Sequence, residues 1–101
     1  MQRVLDAQHY GIVRDLVGHG VGHQLHEEPD IANYGIAGDG PMLHEGMTIA
    51  IEPMANLGVE NVVMDPDGWT IRTHDGHPSA HFEHTVLILR DGAEVLTRSR
   101  L

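Results

Sequence analysis

The stretch Gly18-His19-Gly20-Val21-Gly22-His23-Gln24-Leu25-His26-Glu27-Glu28-Pro29 constrains this chain more than any other. Three of its glycines stand at alternate positions, and His19 and His26 lie seven residues apart. Glycine accepts positive φ and close backbone approach, so the spacing predicts a tight, shaped loop and not a strand or helix. Histidines held in such a loop can bind metal or move protons near neutral pH. Two acidic strands further along, around Glu52 and Glu83, are expected to face this loop.

Length and charge narrow the functions. At 101 residues the chain is one domain or a piece of a larger one, able to bury a modest core. Net charge is −9, and all six basic residues are arginines. That balance argues against a nucleic-acid partner, which needs a basic face. The absence of lysine excludes a P-loop and Schiff-base chemistry. The absence of cysteine excludes disulfides, thiol catalysis and zinc-finger sites. No apolar run reaches membrane-spanning length and the first residues lack a signal-peptide core, so no membrane partner is expected and the cytoplasm is the default compartment. Nine histidines are the most unusual feature of the composition, although histidine also serves as a neutral surface residue.

Periodicity gives the element order. Residues 4–10 have helical composition and stop at Gly11, a candidate C′ position. Residues 12–17 are rich in β-branched side chains and read as a strand running into the glycine loop. From Glu27 to Gly46 the chain reads as one long loop, of a length that is usually functional. Residues 47–54 alternate: Met47, Ile49 and Ile51 point one way, Thr48, Ala50 and Glu52 the other, and Pro53 ends the ladder or marks a bulge. Residues 69–73 form a further strand after the turn Asp65-Pro66-Asp67-Gly68, and 74–79 a turn. Residues 80–90 are the longest expected strand, with Phe82, His84, Val86 and Ile88 on one face and His81, Glu83, Thr85, Leu87 and Leu89 on the other. Asp91-Gly92 predicts a two-residue hairpin turn into a last strand over 93–97, before a loose tail. The sum is an α+β chain with a mostly antiparallel sheet.

His19, His26, Glu52 and Glu83 are the residues whose chemistry can act together. Imidazole and carboxylate suit borderline divalent metals (Mn, Fe, Co, Zn), and a carboxylate can bridge two ions. Each has an ordinary reading on its own, since a strand-face glutamate usually faces solvent. Alternation puts His84 away from Glu83, so it reads as a packed or surface residue. His23 shares the glycine loop and its spacing does not exclude it. His9, His44, His74 and His77 have no supporting context, and Glu27 and Glu28 most simply solvate the loop rim.

Taken in order, Gly18-His19-Gly20-Val21-Gly22 with His26-Glu27-Glu28-Pro29, then Glu45-Gly46-Met47-Thr48-Ile49-Ala50-Ile51-Glu52-Pro53-Met54, then Asp67-Gly68-Trp69-Thr70, then Ser79-Ala80-His81-Phe82-Glu83-His84-Thr85, carry a resemblance. The chain resembles the C-terminal half of type I methionine aminopeptidases, within the pita-bread metallopeptidases of family M24. The glycine–histidine loop and the Ile-Glu-Pro strand are shared with prolidase and aminopeptidase P. The Asp-Gly-Trp-Thr and Phe-Glu-His-Thr segments point to the methionine enzymes.

That resemblance implies a curved, mostly antiparallel sheet with helix, half of a pita-bread fold, over residues 1–101. It implies that His19, Glu52 and Glu83 are metal ligands, Glu83 bridging two ions of Co, Mn, Fe or Zn. It implies that His26 is catalytic, contacting the scissile peptide and steadying the tetrahedral intermediate. Trp69 and Leu25 would border the methionine side chain, Leu25 replacing a phenylalanine frequent in the family. The implied activity is removal of the initiator methionine from a new chain by attack of a metal-bound hydroxide on the first peptide carbonyl. The substrate partner is a peptide with an N-terminal methionine. The family's other two metal-binding aspartates and a further histidine belong to an N-terminal half, which these residues do not supply. The chain is therefore expected to bind metal weakly and to be inactive alone. The alternatives are an X-Pro aminopeptidase or dipeptidase segment of the same fold, and a non-catalytic half-domain that binds peptides or a partner.

Overall fold

The computed structural model describes residues 1–100. Among them are one helix, α1 (Gln2–Ala7), and ten strands: β1 (Gly11–Ile12), β2 (Gly18–Gly20), β3 (Glu27–Ile31), β4 (Thr48–Ile51), β5 (Met54–Asn56), β6 (Val62–Met64), β7 (Ile71–Thr73), β8 (Ser79–His81), β9 (His84–Leu89) and β10 (Gly92–Val95). Every strand pairing is antiparallel. The strands form a five-stranded sheet in the order β10-β9-β4-β2-β3, a three-stranded sheet β1-β5-β8 and the hairpin β6-β7. The α+β, antiparallel expectation holds.

Two kinked ribbons organise the molecule. The strand expected over 47–54 divides into β4 and β5, and that expected over 80–90 into β8 and β9. Each half joins a different sheet. The register survives the break: Ile51 faces His84 on one side of it and Met54 faces His81 on the other. Glu52 therefore stands opposite Glu83, and Pro53 opposite Phe82, whose N–H donates to the Pro53 carbonyl. Pro53 has no N–H to give the ladder, which is why pairing lapses here. The lapse leaves both glutamates at one level of the molecule.

The core is small: among the described residues, Ile12, Val13, Ile49, Ala50 and Val86 are the buried apolar ones. Ile49 and Val86 are direct cross-strand partners and join β4 to β9. On the face behind the kink, Ile51, Pro53, Phe82, His84, Val86 and Val95 line an apolar depression.

Several local expectations are corrected. The glycine stretch is not purely a loop, because Gly18–Gly20 is a fully buried strand between β3 and β4. Its glycines serve close approach and not positive φ. A Cβ on Gly18 would lie 2.1 Å from the Ala50 carbonyl oxygen, and one on Gly20 2.2 Å from that of Glu28. The loop expected from Glu27 begins instead with β3, an edge strand that tolerates Pro29. The strand expected over 12–17 is paired only at Gly11–Ile12. The helix ends earlier than Gly11. His9, at φ 61°, takes the left-handed C′ place, with His9 N–H on the Asp6 carbonyl and Tyr10 N–H on that of Leu5. This is a Schellman closure on a non-glycine residue. Gly11 answers a different need, the backbone of residues 58–60 passing 2.7 Å from where its Cβ would be.

The hairpin loop near the end is Arg90-Asp91, one residue earlier than expected, and Gly92 already pairs with Leu89. Trp69 and Thr70 belong to the turn before β7 and not to the strand, and Ser79 opens β8 instead of closing a turn. β6 is a strand that the sequence pattern does not signal. No helix among the described residues is long and apolar enough to cross a membrane.

Candidate metal centre

His19 is fixed first, because it is the middle residue of buried β2 and faces Ala50. Ala50 and Glu52 share a strand face, so His19 is the diagonal neighbour of Glu52, within reach of a long side chain. Its Nδ1 lies 2.9 Å from the Gly20 carbonyl oxygen and its Nε2 2.9 Å from Glu52 Oε1. A carbonyl oxygen only accepts, so Nδ1–H donates there. Nε2 of a neutral imidazole is then a lone pair directed at a carboxylate. A second proton or a cation between the two groups resolves that conflict. The arrangement is the one found behind metal-binding histidines, whose other ring nitrogen is tied to a backbone carbonyl.

Glu83 supplies the second conflict. Like charges directly opposite in an antiparallel pair are destabilising, and Glu52 and Glu83 are in that relation. One donor atom from each of His19, Glu52 and Glu83 lies within 4.8 Å of the others. Donors sharing one ion with bonds of about 2.1 Å stand up to about 4.2 Å apart, so the set closes on a cation with at most a small rotation. His19 and Glu52 are nearly buried and Glu83 is exposed, which leaves an open side. An imidazole with two carboxylates is a donor set for Mn, Fe, Co or Zn. The residues fit a divalent metal.

His26 approaches from that neighbourhood. Its ring centroid is 4.3 Å from that of His19, tilted by 52°, and its side chain is exposed. Leu25 and Trp69 are not enclosed: they are 73% and 87% exposed. His84 turns away as alternation requires, its Nδ1 2.8 Å from Thr97 Oγ1. His23 is exposed and stands apart from the three clustered donors, against Glu27 and Glu28 in a separate depression. Sequence reasoning missed His81. Its Nε2 lies 3.3 Å from Glu52 Oε2, and its shared face with Glu83 was the available signal.

Two aspartates shape the outlying turns. Asp67 is held below the usual carboxylate range by the Thr70 hydroxyl, then by the backbone N–H groups of Thr70 and Trp69. Asp75 is lowered chiefly by the N–H of Val59, then that of His77. The first fixes the turn that carries Trp69, and the second ties residues 58–60 to the β7–β8 turn.

Fold and site together define a class: an antiparallel sheet whose kinked central ribbons present an imidazole–dicarboxylate centre suited to a hydrolytic metal. The sequence model of metallopeptidase family M24 matches residues 1–90, and the chain belongs to that family. It is 50% identical over 97 residues to a methionine aminopeptidase of Clostridium perfringens, covering 96% of this chain and 39% of that protein. Among solved structures it superposes on a methionine aminopeptidase of Thermotoga maritima with a TM-score of 0.91 at 52% identity, covering 97% of this chain and 39% of that one. A methionine aminopeptidase of Rickettsia prowazekii gives a TM-score of 0.92 at 43% identity, covering 96% and 40%. The fold is thus part of the pita-bread fold, and the chain spans about 39% of the length of the curated relatives it matches.

Proposed function

We propose that the chain is the C-terminal, metal-ligating half of a methionine aminopeptidase catalytic domain. One observation carries this reading: Glu52 and Glu83 face each other in register at the kink, with His19 Nε2 2.9 Å from Glu52. A cation between such facing carboxylates relieves their repulsion, which is what supports the reading.

In this reading His19, Glu52 and Glu83 would hold divalent metal, and Glu83 would be the carboxylate that the family resemblance assigns to both ions of the whole enzyme. When bound, the metal acts as a Lewis acid toward the peptide carbonyl and makes water a nucleophile near neutral pH. The chain's own residues do the rest. Glu52 takes and returns protons at its carboxylate. His26, exposed beside His19, donates a hydrogen bond to the oxygen on which charge develops, the place where a preorganised donor counts most. Leu25 and Trp69 form part of the wall for the methionine side chain once the remainder of the domain covers them. The substrate is a peptide with an N-terminal methionine, and the necessary partner is the N-terminal half with its two aspartates and histidine.

The test is release of methionine from a Met-Ala-Ser peptide. The chain alone is expected to give no turnover. Mixed with the segment of the Clostridium perfringens relative that lies outside the aligned region, and with Mn(II) or Co(II), it is expected to cleave Met-Ala-Ser in preference to Xaa-Pro peptides. Glu83→Ala abolishes that turnover. Turnover by the chain alone, or a reconstituted enzyme that prefers Xaa-Pro, contradicts the proposal.

A further inference from the structure

Glu52 is gripped from both sides, and only one grip belongs to the ligand set. Its Oε1 lies 2.9 Å from His19 Nε2 and its Oε2 3.3 Å from His81 Nε2. His19 reaches it diagonally from β2, and His81 diagonally from β8, where it faces Met54 and shares Glu83's side of the ribbon. The Glu52 side chain is 13% exposed and that of His81 44%. The inner oxygen is therefore on the metal side and the outer oxygen is held from the solvent side.

We infer that His81 is a positioning residue for Glu52: by holding Oε2 it directs Oε1 toward His19 and the metal. This rests on the metal reading of the same site. A glutamate has three side-chain torsions and two equivalent oxygens, so a lone carboxylate at a kink samples many presentations. A ring N–H on one oxygen leaves the other as the single forward donor. A carboxylate only accepts, so a hydrogen bond at this contact is one that His81 Nε2–H donates. Partners of this kind behind a ligand carry about 10–100-fold in metal affinity. The 3.3 Å separation and the exposure of His81 place it at the lower end.

Co(II) titration of the 101-residue chain, read by visible absorption and by calorimetry, tests this. Far-UV circular dichroism shows in parallel that each variant folds as the parent does. His81→Leu keeps bulk and removes the donor, and is expected to weaken Co(II) binding about tenfold and to alter the ligand-field bands. His81→Gln restores an N–H of similar reach, and is expected to return affinity to within about twofold of the parent with the parent's bands. Parent-like affinity and bands in His81→Leu overturn the inference alone. A His81→Gln variant as weak as His81→Leu also overturns it, since the imidazole would then be a ligand itself. Failure of the parent to bind Co(II) overturns the metal reading and this inference with it.

Discussion

Glu83→Gln should change the sign of its effect with metal. The substitution keeps shape and removes one of two facing charges. At a separation of 4.8 Å, the outer bound of the donor set, two unit charges repel by about 0.9 kcal/mol in water and about 3.5 kcal/mol at an effective dielectric of 20. Glu83 is exposed and His19 lies against Glu52, so the water-like figure applies. Metal-free Glu83→Gln is therefore expected to be more stable than the parent by about 1 kcal/mol, which at an m-value near 2 kcal/mol/M moves the urea midpoint up by about 0.5 M. With Mn(II) the order inverts. A ligand at about 100 times its dissociation constant adds about 2.7 kcal/mol to the state that binds it, and the variant has lost a ligand. Urea unfolding followed by circular dichroism, with EDTA and with Mn(II), measures both halves. A variant that is less stable than the parent in EDTA, or that gains as much from Mn(II), refutes the reasoning.

Other consequences can be checked in the same way. His9 occupies a left-handed C′ position that costs a non-glycine residue about 1–2 kcal/mol, so His9→Gly should raise stability by about 0.5–1 kcal/mol after glycine's extra unfolded-state entropy, read as a shifted urea midpoint at constant slope. Gly18→Ala drives a Cβ to 2.1 Å from the Ala50 carbonyl oxygen and should cost roughly 1–3 kcal/mol, with loss of metal binding because β2 carries His19. Asp67 favours its charged form in the folded turn, so its contribution is present above the unfolded-state pKa and disappears as pH falls through the lowered folded value. A carboxyl ¹³C titration should place its midpoint below that of a free aspartate, and Thr70→Val should bring it upward.

The parts of the fold legible in the sequence were those set by period two. Alternation around Glu52 and around Glu83 is what brings the two carboxylates face to face, and the same alternation sends His84 to Thr97. What escaped depends on pairing across the chain. Gly18–Gly20 looks like a loop because glycine is a weak strand former, yet it is buried where two neighbouring backbones come within reach of any Cβ. β3 carries Glu27, Glu28, Pro29 and Asp30, poor strand residues that an edge position accepts. β6 is three residues long, and its partner β7 becomes a strand only by pairing with it.

The candidate site divides in the same way. His19, Glu52 and Glu83 were singled out by residue type within motifs, and the cross-strand register explains why they cluster. His81 shares Glu83's face in the alternation, but its approach to Glu52 follows only once β8 is paired with β5. Leu25 and Trp69, which the resemblance implies as pocket walls, are both open in this chain. In the proposed whole enzyme their enclosure would come from residues outside this chain, which spans 39% of the Clostridium perfringens relative.

The most direct test of the central claim is calorimetric titration of Mn(II) into the chain. The account predicts saturable binding of one ion per chain, abolished by His19→Ala and by Glu52→Ala and spared by His84→Ala, whose imidazole faces Thr97. Saturable binding that survives both ligand substitutions, or no binding by the parent, would contradict it.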